Sequence, residues 1–167
     1  IFLAIGHGLM KSQLAELGDA YRALQQSNAK LEELASTDAL TGAVNRRHFD
    51  TTAAGAIADS RRHASALSLL LLDVDNFKAL NDRHGHLVGD RVLAEFARIV
   101  TQSVRPSDSV SRWGGEEFAV LMPDADIHAA TPAAERLRTV IAAHPFGVSG
   151  HVTVSIGVAQ HARGERF

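Results

Sequence analysis

Residues 112–118 read Arg-Trp-Gly-Gly-Glu-Glu-Phe. Runs of β-type residues lie before and after the two glycines, at Ser109–Trp113 and at Phe118–Met122. A Gly-Gly pair between two such runs predicts a β-hairpin with a tight two-residue turn. Glycines leave the backbone open to a bulky anion, whereas Glu116 and Glu117 repel anions unless a cation intervenes. The stretch therefore indicates a metal-bridged phosphate site or, more simply, an exposed hairpin with solvated acids.

The composition excludes several classes of protein. A chain of 167 residues suits one domain of ordinary size with an appendage, and 46% hydrophobic with 22% charged residues is typical of globular proteins. A net charge of -2 gives no basic surface for nucleic acid, so no nucleic-acid partner is expected. The absence of cysteine excludes disulfides, thiol catalysis and cysteine-bound zinc, and it fits a reducing compartment such as the cytoplasm.

Residues 1–36 are predicted to form a long helix with a coiled-coil seam. The seam residues recur at alternating spacings of four and three, and they are Met10, Leu14, Leu17, Tyr21, Leu24, Asn28, Leu31 and Ala35. Such a heptad pattern predicts a parallel two-stranded coiled coil, which would hold two copies of the chain side by side. The alternative is an amphipathic helix folded back on its own domain, and the unbroken seam disfavours it.

Residues 1–9 are apolar and fit two interpretations equally well. They are either the end of a transmembrane helix or the first turns of the helix that follows, because so few residues cannot span a bilayer alone. Lys11 favours the membrane interpretation only slightly. In that case an upstream sensor or membrane segment would tether the chain to the cytoplasmic side of the inner membrane. In both cases we expect the following domain in the cytoplasm.

Residues 37–167 predict one α/β domain, in which helices cover a sheet that has an antiparallel component. Turn residues and helix caps mark where its elements begin and end. The predicted elements are a helix capped by Asn45, a buried strand at Ala66–Leu72, a helix at Asn76–Arg83, a helix at Arg91–Val104 capped by Asp90, the hairpin, a helix beginning at Thr131-Pro132, and a strand at Val152–Ala159.

A second acidic group follows the buried strand. Asp73 stands at the carboxyl end of Ala66–Leu72, where sites in α/β sheets usually lie. If the hairpin neighbours this strand, Asp73 converges with Glu116 and Glu117. Such hard oxygen ligands suit magnesium or manganese, with substrate phosphates completing the coordination. The alternative role for Asp73, and more strongly for Asp75, is to cap the helix that follows.

Four motifs stand in a fixed order along the globular part. They are Asp38-x-Leu40-Thr41-Gly42-x-x-Asn45-Arg46-Arg47, then Asp73-Val74-Asp75-x-Phe77-Lys78-x-x-Asn81-Asp82 with Gly85-His86-x-x-Gly89-Asp90, then the stretch at 112–118, and finally Ser155-Ile156-Gly157-Val158. From about Thr37 to Ala159 the chain thus resembles the GGDEF family, the diguanylate cyclases, in its Gly-Gly-Glu-Glu-Phe form. The resemblance implies the α+β sandwich of nucleotidyl cyclases, with its ferredoxin-like sheet. It also implies condensation of two GTP into cyclic di-GMP, with release of pyrophosphate.

The resemblance gives each matching residue an expected role. Asp73, Glu116 and Glu117 match the catalytic acids. Two Mg²⁺ or Mn²⁺ ions per active site would be held by Asp73, the carbonyl of Val74, Glu116 and Glu117. Glu117 would either bind metal or assist deprotonation of the ribose 3′-hydroxyl, and both roles stay open.

The expected GTP-binding residues are Phe77, Lys78, Asn81, Asp90, Gly114 and Gly115. Lys78 matches a phosphate contact, which a lone ammonium serves well. Asn81 and Asp90 match the guanine readers, because an amide beside a carboxylate fits the acceptor and donors of guanine and mismatches adenine. Phe77 fits a core position equally well.

The turn Arg105-x-x-Asp108 has two interpretations. From the residues alone it is a proline-containing turn in which the aspartate is a local cap. The resemblance implies an inhibitory site for the product, cyclic di-GMP, with Arg136 as a further member. The spacing agrees, so we favour product inhibition.

The resemblance also implies a homodimer, in which each domain holds one GTP and supplies half of an active site. The alternative function is a catalytically inactive receptor for cyclic di-GMP or GTP, which the retained acids disfavour. Family members continue beyond Val152–Ala159 into another helix and a last strand. The domain at 37–167 is expected to lack both.

Overall fold

The computed structural model describes residues 36–148 and 150–162, together with residues 14, 17–22, 24–27 and 31 of the N-terminal segment. The chain divides into two compact units, residues 1–35 and 36–167. In the described part of the chain, no helix combines the length and the apolar composition needed to cross a membrane.

The described residues of the N-terminal segment are helical. Five of the predicted seam side chains are among them, and each is 58–67% exposed: Leu14, Leu17, Tyr21, Leu24 and Leu31. Large apolar side chains thus face outward at heptad spacing. The seam positions Met10, Asn28 and Ala35, and the apolar run at residues 1–9, lie outside the described residues.

The described globular unit is a five-stranded sheet with helices on both faces. Its elements are β1 (Val44–Asn45), α1 (Arg46–His63), β2 (Leu67–Val74), α2 (Phe77–His84), α3 (His86–Ser103), β3 (Ser109–Gly114), β4 (Glu117–Pro123), α4 (Ile127–Ala143) and β5 (Val154–Gln160). The strand order is β1-β3-β4-β2-β5, in which the β1–β3 pair is parallel and the other pairs are antiparallel. The predicted α/β domain is therefore confirmed.

The main core lies between the sheet and helices α3 and α4. Alternate residues of β2, such as Leu70 and Leu72, point into this core because successive side chains of a strand face opposite ways. Phe96 of α3 packs there against Phe118 of β4, with ring centroids 4.9 Å apart. On the other face α1 covers a smaller cluster and leaves Leu71 50% exposed. The predicted strand is therefore an interior strand of the sheet, but it is fully buried on one face only.

Helix starts were predicted with mixed success. Asn45 caps α1 as expected, since its side chain accepts a hydrogen bond from the His48 amide at 2.9 Å. Asp90, in contrast, is the fifth residue of α3, which begins directly after Gly85. The φ of Gly85 is +83°, a conformation that glycine adopts easily and that lets the chain turn between α2 and α3.

Helix α4 begins earlier than its sequence indicates. The side chain of Asp126 accepts a hydrogen bond from the Ala129 amide at 2.8 Å and so caps the helix before Ile127. Thr131 and Pro132 therefore lie inside the helix, where Pro132 provides no amide for an intrahelical bond.

Candidate active site

The hairpin turn is displaced by one residue from its predicted position. Gly115 and Glu116 form the two-residue turn, and Gly114 already belongs to β3, where it pairs with Glu117. A register shift between Arg112 and Gly114 makes Trp113 the extra residue, as in a β-bulge. One acid therefore lies in the turn itself, and the other begins β4.

Strand pairing brings the predicted acids to one end of the sheet. Strand β4 neighbours β2, and Asp73 is the direct cross-strand partner of Glu117. Directly opposite residues of antiparallel strands point to the same face, here the face that carries α1. The Val74 amide donates a hydrogen bond to the Glu116 carbonyl at 3.3 Å, which fixes the turn against the end of β2. Asp73 thus lies in the sheet and does not cap α2.

These acids form a concentration of negative charge. Partial desolvation, followed by the charges of Glu116 and Asp75, raises the pKa of Asp73 above its usual value. Within the described ranges, neither Asp73 nor Glu116 nor Glu117 forms an ion pair. A cation placed here would relieve that repulsion.

The donor set fits a divalent cation that keeps part of its coordination for other ligands. Among the described residues, no group of three or more acidic or histidine side chains is arranged to hold a metal ion by itself. Magnesium commonly binds proteins through one or two carboxylates and completes its octahedron with water and substrate phosphates. The carboxylates of Asp73 and Glu116, together with the backbone of Val74, match this small number of protein ligands.

Asp75 fastens the end of β2 to the start of β5. Its carboxylate accepts hydrogen bonds from the hydroxyls of Thr153 and Ser155, each at 2.6 Å. These two hydrogen bonds, that of Ser155 first, lower the pKa of Asp75. The predicted helix cap is therefore wrong for Asp75, because its oxygens are occupied across the sheet.

Arg112 fastens the hairpin turn, a role that the sequence did not reveal. Its guanidinium donates to the Gly115 carbonyl from Nε at 3.0 Å and from Nη2 at 2.7 Å. From Nη1 it reaches Asp38 at 3.2 Å, and this pair is only 17% and 25% exposed. Asp38 also accepts hydrogen bonds from the amide and hydroxyl of Thr41. One arginine thus joins the start of the globular unit to the turn that carries Glu116.

Trp113, the bulged residue of the hairpin, packs against α1. The ring of Phe49 in α1 meets its indole edge-on, at 5.5 Å between centroids. The guanidinium of Arg46 lies 4.4 Å from the centre of the indole, a cation–π contact. These contacts hold the bulged residue against α1, and the role of Arg46 in them is structural.

The predicted nucleotide-binding residues of α2 and α3 lie just beyond β2. Lys78 is exposed in the first turn of α2, whereas Phe77 is buried in the main core. The Oδ1 atom of Asn81 is buried, and no hydrogen-bond partner for it exists among the described residues. Asp90 is exposed on α3, directly after the buried Gly89. The structure thus places Phe77 beneath this surface, in agreement with its core interpretation.

The turn predicted as an inhibitory site is closed by its own aspartate. Asp108 accepts a hydrogen bond from the Arg105 amide at 3.0 Å, so the local-cap interpretation is confirmed. An open groove of about 450 Å³ is lined by this turn and by residues 42–44. From α4, Arg136 donates to the Ser103 carbonyl at 3.3 Å, at the end of α3. The three predicted residues therefore cluster around the end of that helix.

Comparison with known proteins agrees with the four motifs. The family profile described as "Diguanylate cyclase, GGDEF domain" matches residues 35–166. Response regulator PleD of Caulobacter vibrioides is 42% identical over 135 residues, which are 78% of this chain and 30% of PleD. Diguanylate cyclase DgcM of Escherichia coli is 41% identical over 136 residues, which are 81% of this chain and 33% of DgcM.

A solved structure extends the agreement to three dimensions. The GGDEF domain of DgcB from Caulobacter crescentus, in complex with c-di-GMP, matches with a TM-score of 0.74 and 32% sequence identity. The match covers 78% of this chain and 80% of that domain. The chain therefore belongs to the GGDEF family. It spans about a third of the length of the curated relatives named above.

Proposed function

We propose that this chain carries the catalytic domain of a diguanylate cyclase, which converts two GTP into cyclic di-GMP and two pyrophosphates. The observation that carries the proposal is the convergence of Asp73, Glu116 and Glu117 at one end of the sheet, without cationic partners among the described residues. Family membership supports it, as does the relative DgcM, which is named a diguanylate cyclase.

The proposed reaction is the same step performed twice. The 3′-oxygen of one GTP forms a bond to the α-phosphorus of the other, and the bond from that phosphorus to the β-phosphate oxygen breaks. Pyrophosphate leaves, and the proton of the hydroxyl passes to a base. We assign Glu117 to that proton or to metal binding, because it faces Asp73 across the sheet. A second, reciprocal step closes the ring.

The acids would hold two Mg²⁺ or Mn²⁺ ions through Asp73, the Val74 carbonyl, Glu116 and Glu117. Bound there, the ions would supply charge neutralisation on the triphosphate and a lower pKa for the attacking hydroxyl. The chain itself contributes the position of these ligands. Asp73 is held by the sheet, and Glu116 is held by the hydrogen bond between its carbonyl and the Val74 amide.

We propose that GTP binds at the same end of the sheet as these acids. Lys78 would contact phosphate, and the backbone at Gly114 and Gly115 would leave room for it. Asn81 and Asp90 would read the guanine, whose O6 and N1–H, N2–H groups require one donor and one acceptor partner. Phe77 would support this surface from the core.

We propose that the N-terminal helix pairs two chains, so that two half-sites meet. The exposed seam side chains, among them Leu17 and Leu24, support the pairing because a helix in water gains stability by covering such a stripe. A dimeric mass in solution at micromolar concentration is the expected result. A strictly monomeric mass would contradict this arrangement.

The direct test of the function is incubation of the purified protein with GTP and Mg²⁺, followed by chromatography of the nucleotides. Cyclic di-GMP and pyrophosphate are expected in a ratio of one to two. If no cyclic di-GMP forms, the enzyme proposal fails. Binding of cyclic di-GMP or GTP without turnover would then identify the chain as a receptor.

Replacement of Arg105 by alanine is expected to relieve inhibition by the product. Its guanidinium is exposed beside the groove at the end of α3, where it could hold a phosphate or the edge of a guanine. We expect about tenfold more cyclic di-GMP to be needed for half-inhibition, since a charge-assisted contact is lost. Rates measured with added product give this value.

A matched control for this substitution is Arg138→Ala. Arg138 is another exposed arginine, two residues after Arg136 on α4, and it pairs with Glu135 at 2.6 Å. It should keep the inhibition of the original protein. Equal inhibition of the Arg105→Ala variant and the original protein would remove Arg105 from the site.

A further inference from the structure

The amide of Asn81 occupies the space that a side chain at position 89 would fill. A Cβ atom built on Gly89 would overlap Oδ1 of Asn81 and would lie 3.0 Å from its Cγ. It would also lie 3.1 Å from Cζ of Phe77. The end of the Asn81 side chain is therefore seated directly on the backbone of α3, with the Phe77 ring beside it.

The helix itself gives no reason for a glycine at this position. Gly89 lies inside α3, where glycine is less favourable than alanine because it gives up more backbone freedom on folding. Its backbone φ is not in the positive range that favours glycine. Gly55 inside α1 differs, since a Cβ there would have no neighbour within 4 Å in the part of the chain that the structure describes, apart from the adjacent residues and the backbone of its own helix. The feature that distinguishes Gly89 is its contact with Asn81.

That contact orients the amide. Oδ1 of Asn81 turns into the cleft between α2 and α3, where it is buried and has no hydrogen-bond partner among the described residues. Asp90 follows Gly89 on the same helix. The two residues proposed to bind guanine, Asn81 and Asp90, are therefore both positioned by this part of α3. A shift of the Asn81 amide would change its position relative to the Asp90 backbone.

We infer that Gly89 is a specificity-determining positioning residue, because its missing side chain forms the socket that sets the Asn81 amide for guanine. This inference rests on the proposed function and deepens it. Gly89 itself needs no contact with the nucleotide. It acts through Asn81, and the expected ligand is a guanine nucleotide in preference to an adenine nucleotide.

Alanine at position 89 should displace Asn81 without unfolding the domain. The overlapping atom is the far end of a flexible side chain, which can rotate away, and the Phe77 ring needs to move only slightly. The new methyl group also improves the helix propensity of α3. Loss of recognition is therefore expected in a folded protein.

The test is calorimetric titration with two probes, the α,β-methylene analogues of GTP and ATP, which cannot release pyrophosphate. Four variants are compared with the original chain: Gly89→Ala, Asn81→Ala, the double variant, and Gly55→Ala as the matched helix control. We expect Gly89→Ala to weaken the GTP analogue about tenfold and to leave the ATP analogue unchanged. The double variant should bind no more weakly than Asn81→Ala, because both substitutions remove the same contact.

The possible outcomes separate this inference from the proposed function. If Asn81→Ala binds the GTP analogue as tightly as the original chain, the proposed guanine site is wrong. If Asn81→Ala weakens binding and Gly89→Ala does not, the inference alone is overturned. It is equally overturned if Gly89→Ala weakens both analogues to the same extent, or if the two substitutions act multiplicatively. Gly55→Ala should change neither affinity.

Discussion

Replacing Glu116 with glutamine is expected to reduce cyclic di-GMP synthesis by about 10³-fold. The substitution keeps the shape of the turn and removes one of the few charged ligands proposed for the metal ions. Metal assistance to phosphoryl transfer is worth several kcal/mol, and each 1.36 kcal/mol is a factor of ten in rate. Initial rates at saturating GTP and increasing Mg²⁺ measure the loss, which excess metal should not fully reverse.

The thermal stability of the same variant serves as the control for folding. Glu116 is one of the charges that raise the pKa of Asp73, so its removal relieves a repulsion. A raised carboxyl pKa reduces stability above that pKa and has no effect below the unfolded value of 3.8. At neutral pH and without metal, Glu116→Gln should therefore be at least as thermostable as the original protein.

Glu135→Gln is the matched exchange at an exposed glutamate of α4 and should leave the rate unchanged. Retention of more than a tenth of the activity by Glu116→Gln would contradict the role of Glu116.

Replacing Arg112 with methionine is expected to lower the activity about 10²-fold and the free energy of unfolding by about 1–3 kcal/mol. The change leaves the Gly115 carbonyl and the half-buried Asp38 carboxylate without their common donor. The turn that carries Glu116 is then held less firmly, and a displacement of about 1 Å at a catalytic group can cost a factor of 10². Steady-state kinetics and urea unfolding measure the two effects.

Acid should narrow the difference in stability between this variant and the original protein. Burial acts to raise the pKa of Asp38, but hydrogen bonds from Thr41 and the charge of Arg112 lower it below 3.8 overall. The contribution of a carboxyl with a lowered pKa is present above the unfolded value and is lost as the pH falls through the folded value. The difference in the free energy of unfolding between the two proteins should therefore be largest above about pH 4 and should decline below it.

Arg98→Ala removes an exposed arginine that pairs with Glu95 on α3 and should leave the activity unchanged. If Arg112→Met kept full activity while losing stability, the contact would support only the fold and not the turn.

Local patterns in the sequence predicted the architecture well. The apolar run Ala66–Leu72 corresponds to the interior strand β2, and Asn45 caps the start of α1 as expected. The convergence of Asp73 with the hairpin acids depended on one assumption, that the hairpin neighbours this strand, and β2–β4 pairing confirms it. These features follow from periodicity and from caps within a few residues.

The features that the sequence did not predict depend on contacts between residues that are far apart in the chain. The hairpin turn lies one residue beyond its predicted position, and the bulged Trp113 contacts Phe49 and Arg46, which no pattern near the glycines reveals. Asp38 and Arg112 stand 74 positions apart, so their pairing left no local signal even though both lie in recognised motifs. The N-terminal seam is matched by exposed side chains, and its pairing stays a prediction.

The strand order determines when the site can be completed as the chain is made. Asp75 depends on hydroxyls that lie 78 and 80 positions further along, one directly before β5 and one at its second residue. A chain is synthesised from its N-terminus, and contacts between distant positions form only after the intervening residues are available. Until Thr153 and Ser155 emerge, β2 has a free edge, and the acidic end of the sheet lacks its fastening. The nascent domain therefore contains all of its proposed metal ligands some forty residues before it can hold them firmly.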